Sequence, residues 1–382
     1  MSGNRDSSGI PLFDLSLVHE PIFSELTSAV EQVAKSNRFI NGKSVSDFEA
    51  AFERYHGSGY AVGLSSGTDA LLVALMAMGV GPGDEVITTP FTFVSTAEVI
   101  LRVGAKPVFV DIDEHTFCID AKHIASKITS RTKAIIPVHL FGRACSMEEI
   151  HAVSEQAGLV VIEDCAQAMG ARARSNLVGT LGDFGAFSFF PTKNLGGWGD
   201  GGMLLCSTRE KALRVKSTRD HGAIKKGRYE SMGGNFRLDS VQAAVLLRKL
   251  DYVDEWRQKR QRAARLYNRL FAEAGFRGHA SDPLIPPSED PQGEHSFGLY
   301  VIRASDRDEL ADYLAQSSIG CGKYYDMPLH LQGSFSHLGY ERGDFPVAEG
   351  AARQVLAIPC YAGITEEAQE TVVQAITGFY NS

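Results

Sequence analysis

Short apolar runs alternate with longer stretches whose apolar residues recur at helical spacing. The runs Glu85–Thr89, Pro107–Asp111, Ala134–Val138 and Leu159–Asp164 are rich in Val and Ile and have no polar face. Helical patterns precede, separate or follow them at Pro21–Ser36, Val45–Tyr55, Ala70–Met78, Ser95–Val103, Ala121–Ile128 and Met147–Ala157. Strands that are apolar on both faces belong inside a parallel sheet covered by helices, because a sheet open to water would alternate polar and apolar. Two further runs, Ala186–Phe190 and Gly202–Cys206, extend the series across a Gly-rich turn. The pattern predicts an α/β fold: a three-layer α/β/α domain with a mostly parallel sheet. From Ser240 to Ala274 it becomes long, helical and rich in Arg and Lys; Ser281–Gln292 reads as loop, and Gly298–Ile302 as a strand of a smaller α/β region. We therefore expect a mobile N-terminus (1–11), a large domain (12–250) and a smaller C-terminal α/β domain (251–382).

Composition narrows the function. The formal net charge of -8 argues against broad binding to nucleic acid or anionic membranes, which reward basic surface. Cys118, Cys145, Cys165, Cys206, Cys321 and Cys360 are scattered without CxxC pairs, so neither a zinc site nor a dithiol motif is indicated. The polar start, Met1 to Gly9, lacks a signal-peptide core. No run approaches the roughly 18 apolar residues of a membrane span. The expectation is a cytoplasmic protein.

The chemistry gathers at the carboxyl ends of the strands, where ligands bind in open α/β sheets. Lys193 lies on the turn Phe190-Pro191-Thr192-Lys193-Asn194-Leu195-Gly196, and Asp164 ends the run Leu159–Asp164. An amine and a carboxylate so placed suit a pyridoxal phosphate enzyme: the lysine forms a Schiff base with the aldehyde, and the aspartate partners the ring nitrogen. Ser65-Ser66-Gly67-Thr68 opens a helix. It can bind an anion through free N–H groups, or serve only as an N-cap. Ser188 and Asn235 are further phosphate donors by type, and Phe93 offers an aromatic face to a ring. His139 reads more readily as a structural histidine than a catalytic one. Glu163-Asp164 has no further ligand nearby in sequence, so no metal is expected. The glycines of Gly196–Gly202 do not follow the dinucleotide-binding G-x-G-x-x-G order.

Taken together, several motifs carry a resemblance. They include Ser65-Ser66-Gly67-Thr68-Asp69-Ala70-Leu71, Gly81-Pro82-Gly83-Asp84-Glu85-Val86-Ile87 and Phe91-Thr92-Phe93-Val94-Ser95-Thr96. Further along stand Glu163-Asp164-Cys165-Ala166-Gln167, Ser188-Phe189-Phe190-Pro191-Thr192-Lys193-Asn194-Leu195-Gly196, Gly234-Asn235-Phe236-Arg237-Leu238 and Gly343-Asp344-Phe345-Pro346-Val347-Ala348-Glu349. In order and spacing, over nearly the whole chain, these resemble the fold type I, pyridoxal phosphate-dependent sugar aminotransferases of the DegT family.

The resemblance implies a role for each matching position. Lys193 is the implied Schiff-base lysine and Asp164 the ring-nitrogen partner. Gln167 is implied beside the cofactor's 3-hydroxyl, Gly67, Thr68 and Ser188 at its phosphate, and Phe93 on its ring. Asn235 is implied to reach the neighbouring subunit's phosphate, which makes the protein a homodimer with shared sites. His330, Tyr325 and Arg228 are the expected substrate contacts. Arg228 belongs to a basic loop, Ala223–Met232, suited to a diphosphate or simply facing water. The expected reaction is ping-pong transamination from an amino acid, by resemblance L-glutamate, to a nucleotide-linked ketosugar, with a lean towards a 3-ketosugar. Tyr324-Tyr325-Asp326 stands where many relatives carry a His-Tyr-Pro run, so their sugar is not carried over. Two alternatives are a sugar dehydratase, whose kind replaces the lysine with histidine, and a cofactor-binding regulator without turnover. Lys193 is intact and no basic helix-turn-helix region is evident, which speaks against both.

Overall fold

The computed structural model of the protein describes residues 9–288 and 293–381. Seven strands form the main sheet: β1 Tyr60–Leu64, β2 Glu85–Thr88, β3 Lys106–Phe109, β4 Thr132–Ile135, β5 Val160–Asp164, β6 Phe184–Ser188 and β7 Gly202–Cys206. Their spatial order is β1-β7-β6-β5-β4-β2-β3. β3, β2, β4, β5 and β6 pair in parallel, while β7 runs antiparallel to both of its neighbours.

Period-two alternation sends successive side chains to opposite faces. Val62, Leu64, Ile162, Phe184, Ala186 and Leu204 enter one core cluster, with the helices Gly67–Ala77 and Ser95–Arg102. Ala61, Phe187, Met203 and Leu205 enter another, with Lys43–His56 and Ser240–Leu250. Ile87, Ile135 and Val161 join a third, with Met147–Ala157. Helices therefore cover both faces, which is the three-layer α/β/α fold expected of fully apolar strands.

A smaller antiparallel sheet joins Leu284–Ile285, Tyr300–Ala304 and Val355–Ile358. The helices Val253–Glu273, Arg307–Gln316 and Glu366–Asn381 close its core through Tyr267, Phe271, Leu314, Val372 and Ile376. Leu250 and Val253 still belong to the main-sheet core, whereas Ala263 onward packs on the small sheet.

Three local differences from the sequence reading have physical causes. The long helical pattern breaks at Asp251-Tyr252, between two helices that serve different cores. Within the expected loop Ser281–Gln292, Leu284–Ile285 pairs with Arg303 and Ala304; residues 289–292 lie outside the described residues. Of the expected mobile N-terminus, residues 1–8 also lie outside them. Ile10, however, donates its N–H to Ser318 O at 2.9 Å and accepts from Gly320 at 2.8 Å, so this residue is held in place.

Candidate functional site

A cleft of about 820 Å³ opens over the carboxyl ends of the parallel strands. Its floor comes from β5, β6 and the turn after β6, one wall from the starts of the helices Gly67–Ala77 and Ser95–Arg102, and the other from residues 323–334. That volume lies within the range of small-molecule sites.

Lys193 enters from a tightly held turn. Its backbone N–H donates to Phe190 O at 2.9 Å, and Gly197 N–H donates to Phe189 O at 2.7 Å. The side-chain amine has no hydrogen bond or ion pair among the described residues. Burial lowers its affinity for a proton, against the attraction of Asp164. Asp164 is buried, and burial raises its carboxyl above the usual range. Opposing that, Ala166 N–H donates to Oδ1 at 3.1 Å and the Thr96 hydroxyl to Oδ2 at 2.8 Å, with Lys193 acting in the same direction.

The start of Gly67–Ala77 is arranged for an anion. Ser66 caps it by accepting the Asp69 N–H at 3.0 Å, while the N–H groups of Gly67 and Thr68 have no acceptor within the helix. A Cβ on Gly67 would lie 2.6 Å from Ser188 Cβ. Only glycine lets this terminus close on Ser188, and the result is a cradle of backbone N–H groups and hydroxyls.

Phe93 is 53% exposed, into the cleft, with its ring 6.4 Å from that of Tyr325. Gln167 accepts the Phe141 N–H at 2.9 Å and donates to the Tyr325 hydroxyl at 3.0 Å, so its amide orientation is fixed. The cleft thus gathers Gly67, Thr68, Phe93, Asp164, Gln167, Ser188, Lys193 and Tyr325. A reactive amine, a carboxylate, an aromatic face and an anion cradle are together the donor set that pyridoxal phosphate requires.

Three expected site residues are not brought into the cleft. His330 corrects the sequence reading: its ring is buried, pairs with Glu349 Oε1 at 3.1 Å and packs 4.8 Å from the Phe345 ring. The short helical turn Leu329–Leu331 places Leu329 at the cleft and turns His330 into the core. Arg228 and Asn235 are exposed and lie outside the cleft.

His139 is structural. It accepts the Cys145 N–H at 3.0 Å and donates to Glu163 at 2.9 Å. Glu163 also accepts N–H groups from Gly179, Leu181 and Gly182, which together occupy both of its oxygens. Sequence reasoning missed Thr92 and Thr96. Their signal was two hydroxyls at i, i+4 spacing where a helix begins just beyond a strand end. It also missed the cleft-rim residues Lys323 and Ser334, which come from a segment without periodicity.

A sequence model of the DegT/DnrJ/EryC1/StrS aminotransferase family matches residues 21–377. The chain is 45% identical to a Geobacillus stearothermophilus protein named "Pleiotropic regulatory protein", over 97% of this chain and 98% of that one. It is 39% identical to the UDP-N-acetyl-3-dehydro-alpha-D-glucosamine 3-aminotransferase of Acidithiobacillus ferrooxidans, over 94% and 95% of the two chains. The crystal structure of S. venezuelae DesV in complex with a ketimine intermediate superposes with a TM-score of 0.93 at 34% identity, covering 98% of this chain and 99% of that one.

Proposed function

Because the chain belongs to the DegT/DnrJ/EryC1/StrS aminotransferase family, we propose that this cleft transfers an amino group to a nucleotide-linked ketosugar with pyridoxal 5'-phosphate as cofactor. The observation that carries the reading is the unpaired amine of Lys193 in one cleft with the buried carboxylate of Asp164. When bound, the cofactor supplies an aldehyde for amine exchange and a ring that accepts carbanion charge.

The chain's own residues do the rest. Gly67, Thr68 and Ser188 would hold the phosphate, and Phe93 would offer its aromatic face to the ring. Gln167 would donate to the oxygen of the ring's 3-hydroxyl. Asp164, ionised, would keep the ring nitrogen protonated. Lys193 would hold the cofactor through its amine and would serve as the base that takes the proton from the amino donor's α-carbon. It would do this as a neutral amine, which its burial favours. Tyr325 and the rim of residues 323–334 face the sugar. L-glutamate is the donor we infer. A relative named for a 3-dehydro sugar supports the lean towards a 3-ketosugar.

We read residues 12–250 and 251–382 as the two domains that form the walls, in a homodimer where Asn235 and Arg228 serve the neighbouring cleft. Among the described residues no helix is long and apolar enough to cross a membrane, and a cytoplasmic location is the reading we adopt. The regulator reading would leave the proton-transfer capacity of Lys193 without a task.

The test is direct. Borohydride reduction of the holoenzyme followed by peptide mapping should place the pyridoxyl group on Lys193. Adding L-glutamate should then yield pyridoxamine phosphate, and a panel of nucleotide ketosugars should return it to the aldehyde form. An adduct on another lysine would sink the assignment, and no amine exchange with any amino acid would sink the activity.

A further inference from the structure

The hydroxyls of Thr92 and Thr96 form a chain that ends on Asp164. Thr96 Oγ1 lies 2.8 Å from Asp164 Oδ2 and 3.1 Å from Thr92 Oγ1. An ionised carboxylate only accepts, so Thr96 donates to Asp164. Its one proton is then committed, and the contact with Thr92 must be one that Thr96 accepts. Chemistry alone thus fixes the direction, Thr92 to Thr96 to Asp164. All three residues are buried, at 3%, 0% and 5% exposure, and Thr92 lines the cleft. Ala166 N–H holds the other carboxylate oxygen, so the plane of Asp164 is pinned from both sides.

Resting on the role of Asp164 given above, we propose that Thr96, oriented by Thr92, is a positioning residue: it keeps Asp164 ionised and aims the carboxylate's remaining acceptor capacity at the cofactor's ring nitrogen. A buried carboxylate is costly without donors, and each donor to the charged form favours ionisation. The other titratable groups facing Asp164 are Lys193, His139, Cys165 and Tyr325. Of these, Lys193 is the group whose charge changes during the reaction, so a fixed donor independent of it is useful.

The test compares reconstituted holoenzymes of wild type, Thr96→Val, Thr96→Ser and Thr92→Val. Three quantities are read: the position of the borohydride adduct, the dissociation constant for pyridoxal phosphate, and the single-turnover rate with L-glutamate against pH. Valine keeps the shape and removes the donor; serine keeps the donor. Thr96→Val should retain the adduct on Lys193, bind the cofactor more weakly and turn over on the order of 10-fold more slowly, the scale of one hydrogen bond to a charged group. The acid limb of its pH profile should move to higher pH, because a carboxylate deprived of a donor takes up a proton more readily. Thr96→Ser should restore the limb and the rate, and Thr92→Val should move the same limb the same way by less. An unmoved limb in Thr96→Val, or a Thr96→Ser protein as impaired as the valine variant, overturns the proposal. If Thr96→Val does not fold, Thr92→Val decides, and an unmoved limb there overturns it. A wild-type protein that takes no adduct at Lys193 instead overturns the cofactor reading itself, whatever the threonines do.

Discussion

At the scale of single residues, the proposed reaction turns on the balance at Asp164. Burial opposes its charge, while Ala166 N–H, the Thr96 hydroxyl and Lys193 work against that cost. Asp164→Asn keeps the shape but can no longer hold a proton on the ring nitrogen. We expect the glutamate half-reaction to fall by on the order of 10²- to 10³-fold, as when one preorganised electrostatic group is removed. Circular dichroism and the melting temperature should stay close to wild type, and a near-native half-reaction rate would mean that another group governs the ring. Lys193, Asp164 and the Gly67-Thr68 turn were legible in the sequence because their chemistry is tied to strand ends and a helix start, which periodicity locates. The position of His330 was not. Its neighbours Leu329 and Leu331 say only that the segment is apolar, and a one-residue rotation of a short helical turn separates a cleft histidine from a core one.

At the scale of elements, the helix Ser240–Leu250 sets the lysine turn. Gln242 Oε1 accepts the Trp198 N–H at 2.8 Å, and a Cβ on Gly197 or Gly199 would crowd the Gln242 side chain. One helical stretch further along, the buried Lys249 amine donates to Gly196 O and to His19 Nε2, and lies 5.7 Å from the Trp256 ring centroid. Burial lowers the Lys249 pKa to about 8 from 10.5. His19, held at about 4 by burial and by Lys249, stays neutral and accepts. The sign of the linkage follows. Below about pH 8 the lysine is charged in both folded and unfolded chains. Between about 8 and 10.5 the unfolded chain binds the extra proton, so this group's contribution to stability rises with pH. Urea unfolding at pH 7.5, 8.5 and 9.5 should show wild type gaining on Lys249→Met as the pH rises; a gap constant across that range would mean the amine titrates normally. A lysine in a helical pattern gives no hint of this in sequence, since side chains at this spacing usually reach water. Only the packing of the turn beneath it reveals the contact.

At the scale of the whole molecule, the α/β layers could be read from strands without a polar face, but the completeness of the cleft could not. Asn235 and Arg228 are exposed and stand apart from the cleft of this chain. Asn235 is tied by backbone pairing to Asp220, beside a hairpin whose Ile224, Tyr229 and Met232 are 55%, 65% and 86% exposed. Large apolar side chains offered to water beside a candidate phosphate ligand are consistent with the shared site proposed above. Which subunit they reach is a property of the assembly, and no pattern within one chain encodes it. If Asn235 serves the neighbouring cleft, a hybrid of Lys193→Ala and Asn235→Ala chains has one site carrying both defects and one carrying neither. Mixing equal amounts of the two impaired proteins, with full exchange, makes half of the dimers hybrid. Activity should therefore climb to about one quarter of wild type, the share that a symmetric interface dictates. Had Asn235 served its own cleft, every site in the hybrid would hold one defect and mixing would add nothing. A flat activity, with hybrids demonstrated by native mass spectrometry, would assign Asn235 to its own subunit or to the turn alone.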